Sequence, residues 1–261
     1  MFNKPPPPIR IQPSSTWPHI SLWNAVQDAL RALPAYFDTK TSIEGMLATD
    51  IHTLNAALSA TIEEQVVGTL NTMRAVWDPG KSYQTYSFER QSQTFPDVRL
   101  RRRQNGQDII MGLELKGWYL LAKEGMPNFR FTATSAACAQ ADLIVVVPWA
   151  LSNILAGTPV VFPPYIELAK YAAEQRNYYW QHLRETKNNT SIIIPKGVQP
   201  YPAKRDQISD KAQADSGTNF GRMARYGIMD KYIREAMAIK FRGITAKDWL
   251  EFFKVHKETT D

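Results

Sequence analysis

Residues Phe95 to Gly117 read FPDVRLRRRQNGQDIIMGLELKG, and this stretch decides the fold. Asn105-Gly106 at its centre is the strongest short-range signal for a tight two-residue turn, and runs suited to strands flank it. With Gln104 opposite Gln107, Asp97 faces Glu114, their Cβ atoms roughly 5 Å apart. One face then carries Val98 opposite Leu113 and Leu100 opposite Met111, an apolar face fit for a core. The other carries Asp97, Arg99 and Arg101 opposite Glu114, Gly112 and Ile110, and Lys116 joins it by period-2 alternation. A slip of one residue would bury the carboxylates and expose the aliphatics, so the pattern favours this register. A bulge near the arginines is the irregularity that would shift it.

Two opposed carboxylates with an ammonium beside them suit a divalent cation. Magnesium takes oxygen ligands, keeps several waters and completes its shell with substrate phosphate. Such an ion polarises a phosphoryl oxygen and acidifies a bound water, and a nearby lysine orients or deprotonates that water. Asp97, Glu114 and Lys116 are the parts that phosphodiester hydrolysis needs.

Pro96-Asp97, sixteen intervening residues and then Glu114-Leu115-Lys116 resemble the PD-(D/E)XK nuclease signature. Within that superfamily the whole chain is most similar to a type II restriction endonuclease. The resemblance is close over the middle third and general elsewhere. It implies an α/β core, a mixed sheet flanked by helices, and magnesium held by Asp97, Glu114 and the Leu115 carbonyl. It also implies cleavage of double-stranded DNA to 5′-phosphate and 3′-hydroxyl ends, and a homodimer, because palindromic sites call for two-fold symmetry.

The chain has 261 residues, 44% of them hydrophobic, with a formal net charge of +6. That balance favours a polyanionic partner only mildly, since many plain soluble proteins share it. The single cysteine, Cys138, excludes an internal disulfide and a cysteine-rich zinc site, and its small-residue surroundings read as a buried position. There is no basic-then-apolar leader and no run of about 20 apolar residues, so a cytoplasmic protein without a membrane span is expected.

Residues 1–20 form an extended, proline-rich arm, either lying on the surface or wrapping DNA or a second subunit. Residues 21–261 read as a single domain, with a catalytic core over about 61–150 and elements for DNA recognition and dimerisation in 150–261. Apolar spacing predicts a helix from Ser21 to Leu33, stopped by Pro34. A second is expected over Ser42–Ala60, and a third over Thr61–Trp77, where Thr61 and Glu64 have capping-box spacing. On the third, Ile62, Val66, Leu70, Met73 and Trp77 make a narrow stripe, with Glu63 near it and Glu64 on the far side. In PD-(D/E)XK enzymes an acid from this helix often joins the metal site. The resemblance puts that role on Glu63, and a surface-edge salt bridge is the other reading.

Tyr83–Glu89 is the expected first strand. Phe129–Phe131 extends the edge, Thr132–Ala141 is a short helix, and Asp142–Val147 is a strand buried on both faces and parallel to its neighbour. Pro148–Pro164 is loop-rich, Tyr165–Arg184 a helix, and Ile192–Ile194 a short strand. Met229–Phe241 and Thr245–His256 are the closing helices. Basic and polar groups suited to DNA fall at Arg101, Arg102 and Arg103 near the hairpin tip and at Lys187, Asn188 and Asn189. They recur at Lys204, Arg205 and Gln207 in the polar stretch 196–217, and at Arg222 and Arg225 one turn apart. A solvated turn and an ordinary connection are the plain readings of these segments.

No phosphate-binding GxxxxGK[ST] loop, GxSxG elbow, HExxH motif or paired histidines occur. Two other functions compete with a restriction enzyme. One is a repair or recombination nuclease of the same fold that cuts by DNA structure. The other is a non-catalytic DNA-binding protein in which Asp97, Glu114 and Lys116 form a cross-strand salt bridge worth ~0–1 kcal/mol if exposed.

Overall fold

The structure is a computed structural model, and it describes residues 4–102, 108–185 and 189–257. Helix α1 spans Ile20–Tyr36, α2 Leu54–Thr72 and the single turn α3 Arg74–Trp77. Strands β1 (Tyr86–Arg90), β2 (Val98–Arg102), β3 (Ile109–Tyr119), β4 (Leu143–Leu151), β5 (Pro159–Val161) and β6 (Tyr165–Leu168) follow. After α4 (Ala169–Tyr178) come the short strands β7 (Ile192–Ile193) and β8 (Lys211–Ala212). Helix α5 (Asp230–Met237), the small ladder β9 (Lys240–Phe241) with β10 (Ile244–Thr245), and α6 (Ala246–Lys257) complete the chain.

The six long strands make one mixed sheet in the order β1-β2-β3-β4-β5, with β6 also paired to β4. β1, β2 and β3 are antiparallel, whereas β3 and β4 run parallel from Leu113↔Leu143 to Tyr119↔Trp149. All nine residues of β4 are buried. This is the pattern expected of a strand covered on both faces, which leaves no position for a polar side chain. The buried side chains form one continuous core from Leu22 of α1 to Phe253 of α6. The stripe Ile62, Val66, Leu70, Met73 and Trp77, which runs from α2 into α3, is fully inside it, and so is Cys138.

The β2–β3 register pairs Val98 with Leu113, Arg99 with Gly112 and Leu100 with Met111, and the four apolar members are all buried. Beyond Leu100 the ladder shifts, so Arg101 pairs with Ile109 and not with Ile110. Ile110 is buried instead, which the extra residue of an irregular ladder permits by re-aiming the following side chain. The Asn105-Gly106 turn and its flanking Arg103, Gln104 and Gln107 lie outside the described residues.

Several boundaries differ from expectation. Pro34 does not stop α1; it sits in the last turn, where its missing N–H costs one bond before the helix ends at Tyr36. α2 runs unbroken through Ala60-Thr61, and a short 3₁₀ segment, Ala48–Thr53, replaces the first half of the second expected helix. Between Leu54 and Val67 there is no glycine or proline to interrupt it, so Thr61 and Glu64 are interior residues and no capping box forms there.

The segment Thr132–Ala141 keeps only a 3₁₀ turn at Ser135–Ala137. Its backbone groups are claimed elsewhere: Arg176 takes the Phe131 and Ala133 carbonyls, and the Asp142 carboxylate takes the Ala139 N–H. Phe129–Phe131 does not join the sheet; Arg130 forms an isolated bridge to Arg222. β4 continues through Pro148 to Leu151. On the side away from β3 its partner changes there, from β6, which ends at Val146↔Tyr165, to β5, which starts at Trp149↔Val161. A residue with no N–H is tolerated where one ladder stops and the next begins. Tyr165–Leu168, expected as helix, is captured by the open edge of β4 as β6. The first closing helix ends at Met237, short of Phe241.

The arm over residues 4–14 is extended and lies along this same domain. The Pro5 carbonyl accepts the Tyr178 hydroxyl, and Arg10 grips Glu167 at 2.9 Å while stacking on Tyr171.

Candidate active site

The site forms where β2 ends and β3 runs on alone. β2 covers β3 only as far as Leu113, so β3 from Glu114 onward presents a free edge on that side. Asp97 immediately precedes β2. Its carbonyl accepts the Gln91 N–H at 2.6 Å, and its own N–H donates to Glu114 Oε2 at 3.4 Å. The preceding Pro96 packs against Gly112. A Cβ at position 112 would stand 2.1 Å from Pro96 Cγ, so only glycine allows Asp97 to approach β3 here.

Lys116 bridges the two acids, its Nζ 2.6 Å from Asp97 Oδ2 and 3.1 Å from Glu114 Oε1. Glu63 arrives from α2, whose buried stripe packs it against β3, and its Oε1 accepts the Gly117 N–H at 3.0 Å. Strand alternation puts the Leu115 carbonyl on the same edge as that N–H, while the Leu115 side chain is buried in the core. Glu64 points away; it is three-quarters exposed and only 4.0 Å from Arg90.

Electrostatics follow from this crowding. Burial pushes the Glu114 carboxyl up to about 7, Lys116 pulling against it and Asp97 adding to it. Burial likewise raises Glu63, opposed by the Gly117 N–H and the Lys116 charge. Burial alone would lower the Lys116 ammonium, but Glu114 and Asp97 outweigh it and hold its pKa above the ordinary lysine value. Lys116 is therefore a cation at neutral pH.

Three carboxylates converge on one ammonium, with Arg90 touching Glu63 only at 4.0 Å. Three acids beside one lysine, with oxygen as the donor atom of each acid, are the kind of set a hard divalent cation takes. Among the described residues no three acidic, histidine or cysteine side chains make a ready-made metal cage.

The groups expected to meet DNA are scattered. Arg101 is ion-paired to Glu89 at 2.5 Å, and Arg102 to Asp108 at 3.1 Å. Arg103, Lys187 and Asn188 lie outside the described residues. Asn189 donates to Gln213, Arg225 to Asn219, and Arg222 to the Thr218 carbonyl at 3.3 Å. Lys204, Arg205 and Gln207 are exposed on a loop that docks beside β2, where the Pro202 carbonyl stands 3.5 Å from Arg99 Nη2.

Two features escaped sequence reasoning. Asp142, fully buried at the head of β4, accepts from the N–H groups of Gly112 and Ala139 and from the Tyr201 hydroxyl, at 2.7, 2.8 and 3.0 Å. It thus ties hairpin, crossover and loop together. Arg176 and Asp210 form a fully buried ion pair that also holds Asn177. An acid directly before LIVVV was the visible signal for the first. Nothing local marked the second, whose partners are far apart in sequence.

Comparison with protein-family profiles, with curated proteins and with solved structures finds no match for this chain.

Proposed function

We propose that the protein is a magnesium-dependent endonuclease of the type II restriction class, acting on double-stranded DNA in the cytoplasm as a homodimer. The observation that carries this reading is the convergence of Asp97, Glu114, Lys116 and Glu63 at the uncovered edge of β3. The mixed sheet flanked by helices is the coarse architecture that this reading calls for.

The bound ion would supply charge neutralisation at the phosphoryl oxygen and an acidified water. Asp97 and Glu114, with the Leu115 carbonyl, would hold that ion. Lys116, kept protonated by its acidic neighbours, orients the attacking water and offsets charge growing on the phosphate oxygens. Glu63 fixes the β3 edge through Gly117 and adds negative charge for the cation. In-line attack on phosphorus with departure of the 3′ oxygen leaves a 5′-phosphate and a 3′-hydroxyl.

Digestion of unmethylated phage DNA with magnesium, followed by sequencing of the fragment ends, tests this reading. One recurrent sequence at every end is the expected result. Cutting confined to branched or mismatched DNA would move the protein to repair or recombination, and DNA binding without cutting would make it a non-catalytic binder.

A further inference from the structure

Arg99 lies on the polar face of β2, two residues from Asp97, and its surroundings are unusual for an arginine. Arg101 and Arg102 each have an acidic partner. Arg99 has no ion pair among the described residues. Its Nη2 meets only neutral oxygens, Thr94 Oγ1 at 3.3 Å, the Phe95 carbonyl at 3.0 Å and the Pro202 carbonyl at 3.5 Å. Its Nε is buried and has no hydrogen-bond partner among the described residues. The face of Tyr201 stands 5.5 Å from the guanidinium. The acid that acts on it electrostatically, Asp142, is already committed to Gly112, Ala139 and Tyr201.

A half-buried guanidinium with an unpartnered donor is costly unless a counter-ion offsets its charge. The planar fork suits two oxygens of a phosphate. We propose that Arg99 is an anion-binding residue that takes a backbone phosphate of duplex DNA next to the phosphodiester presented to Asp97, Glu114 and Lys116. The inference rests on the nuclease reading for its ligand, but the phosphate contact can stand or fall without the chemistry. Through Tyr201 and Pro202 the same residue touches the loop that carries Lys204, Arg205 and Gln207. A phosphate seated on Arg99 therefore also sets where that loop meets the duplex.

Equilibrium binding of a random-sequence DNA duplex pool, in calcium so that nothing is cut, is measured against salt for wild type, Arg99→Gln and Arg99→Lys. Arg99→Gln should weaken binding about tenfold and lower the slope of log K against log salt by about 1, while Arg99→Lys keeps the slope. An unchanged slope in Arg99→Gln overturns the proposal. So does an equal loss in Arg99→Lys and Arg99→Gln with the wild-type slope, which marks Arg99 as a pin for the loop. Should Arg99→Gln fail to fold, phenylglyoxal labelling of the wild type decides: the duplex should shield Arg99, and equal labelling with and without it overturns the proposal. Wild type that binds the duplex with this slope pattern but never cuts would sink the nuclease reading and leave the phosphate contact standing.

Discussion

Lys116 Nζ stands 2.6 Å from Asp97 Oδ2 and bridges it to Glu114, although Asp97 precedes β2 and the other two lie in β3. An ammonium shared by two acids serves as the protein's own counter-cation, and the third acid, Glu63, leaves the pocket short of positive charge.

The pH dependence of stability follows from Glu114. Its folded pKa of about 7 lies above the ordinary 4.5 of a glutamate. A raised carboxyl binds its proton more tightly in the folded state, so its contribution is complete below pH 4.5 and is lost as pH rises through 7. The span is worth about 3 kcal/mol. In chelator, wild type should lose stability across this window and Glu114→Gln should lose less. Added magnesium at pH 8 should stabilise wild type and leave Glu114→Gln unmoved. Thermal melts at pH 4.5, 6 and 8 check both.

Glu63 and Glu64 are adjacent in sequence and opposite in environment. Glu63→Gln should reduce magnesium affinity or cleavage by about 10–100-fold, whereas Glu64→Gln should change neither. Isothermal titration with magnesium and plasmid cleavage rates separate them, and equal effects would remove Glu63 from the site.

Gly112→Ala tests how Asp97 is placed. The new Cβ would overlap the Pro96 ring and come 3.0 Å from Asp142 Oδ1. Destabilisation of about 1–3 kcal/mol is expected, together with a fall in cleavage beyond the loss of folded protein. Urea unfolding and rates normalised to the folded fraction are the measurements.

Arg176→Met strands Asp210 as an unpaired buried acid and frees the Phe131 and Ala133 carbonyls. A cost of about 3–5 kcal/mol is expected. The double variant Arg176→Met/Asp210→Leu should recover part of it in the same unfolding assay.

Period-2 alternation from Val98 to Leu100 and from Met111 to Glu114 was enough to place the carboxylates, because one face of the ladder had to be apolar. The DLIVVV run announced a buried parallel strand for a different reason, because a strand covered on both faces is apolar throughout. What stayed hidden depends on distant partners. Tyr165–Leu168 becomes a strand only because β4 has an open edge, and Thr132–Ala141 loses its helix to Arg176 and Asp142. Arg99 was readable as a polar-face residue, but its lack of an acidic partner is a property of the folded chain alone.

Cleavage of supercoiled plasmid by wild type and by Asp97→Ala, with circular dichroism to establish the fold of each, tests the central claim. Wild type should give discrete products in magnesium and none in chelator, and folded Asp97→Ala should leave the plasmid intact. Magnesium-dependent cutting by folded Asp97→Ala at the wild-type rate would contradict the account.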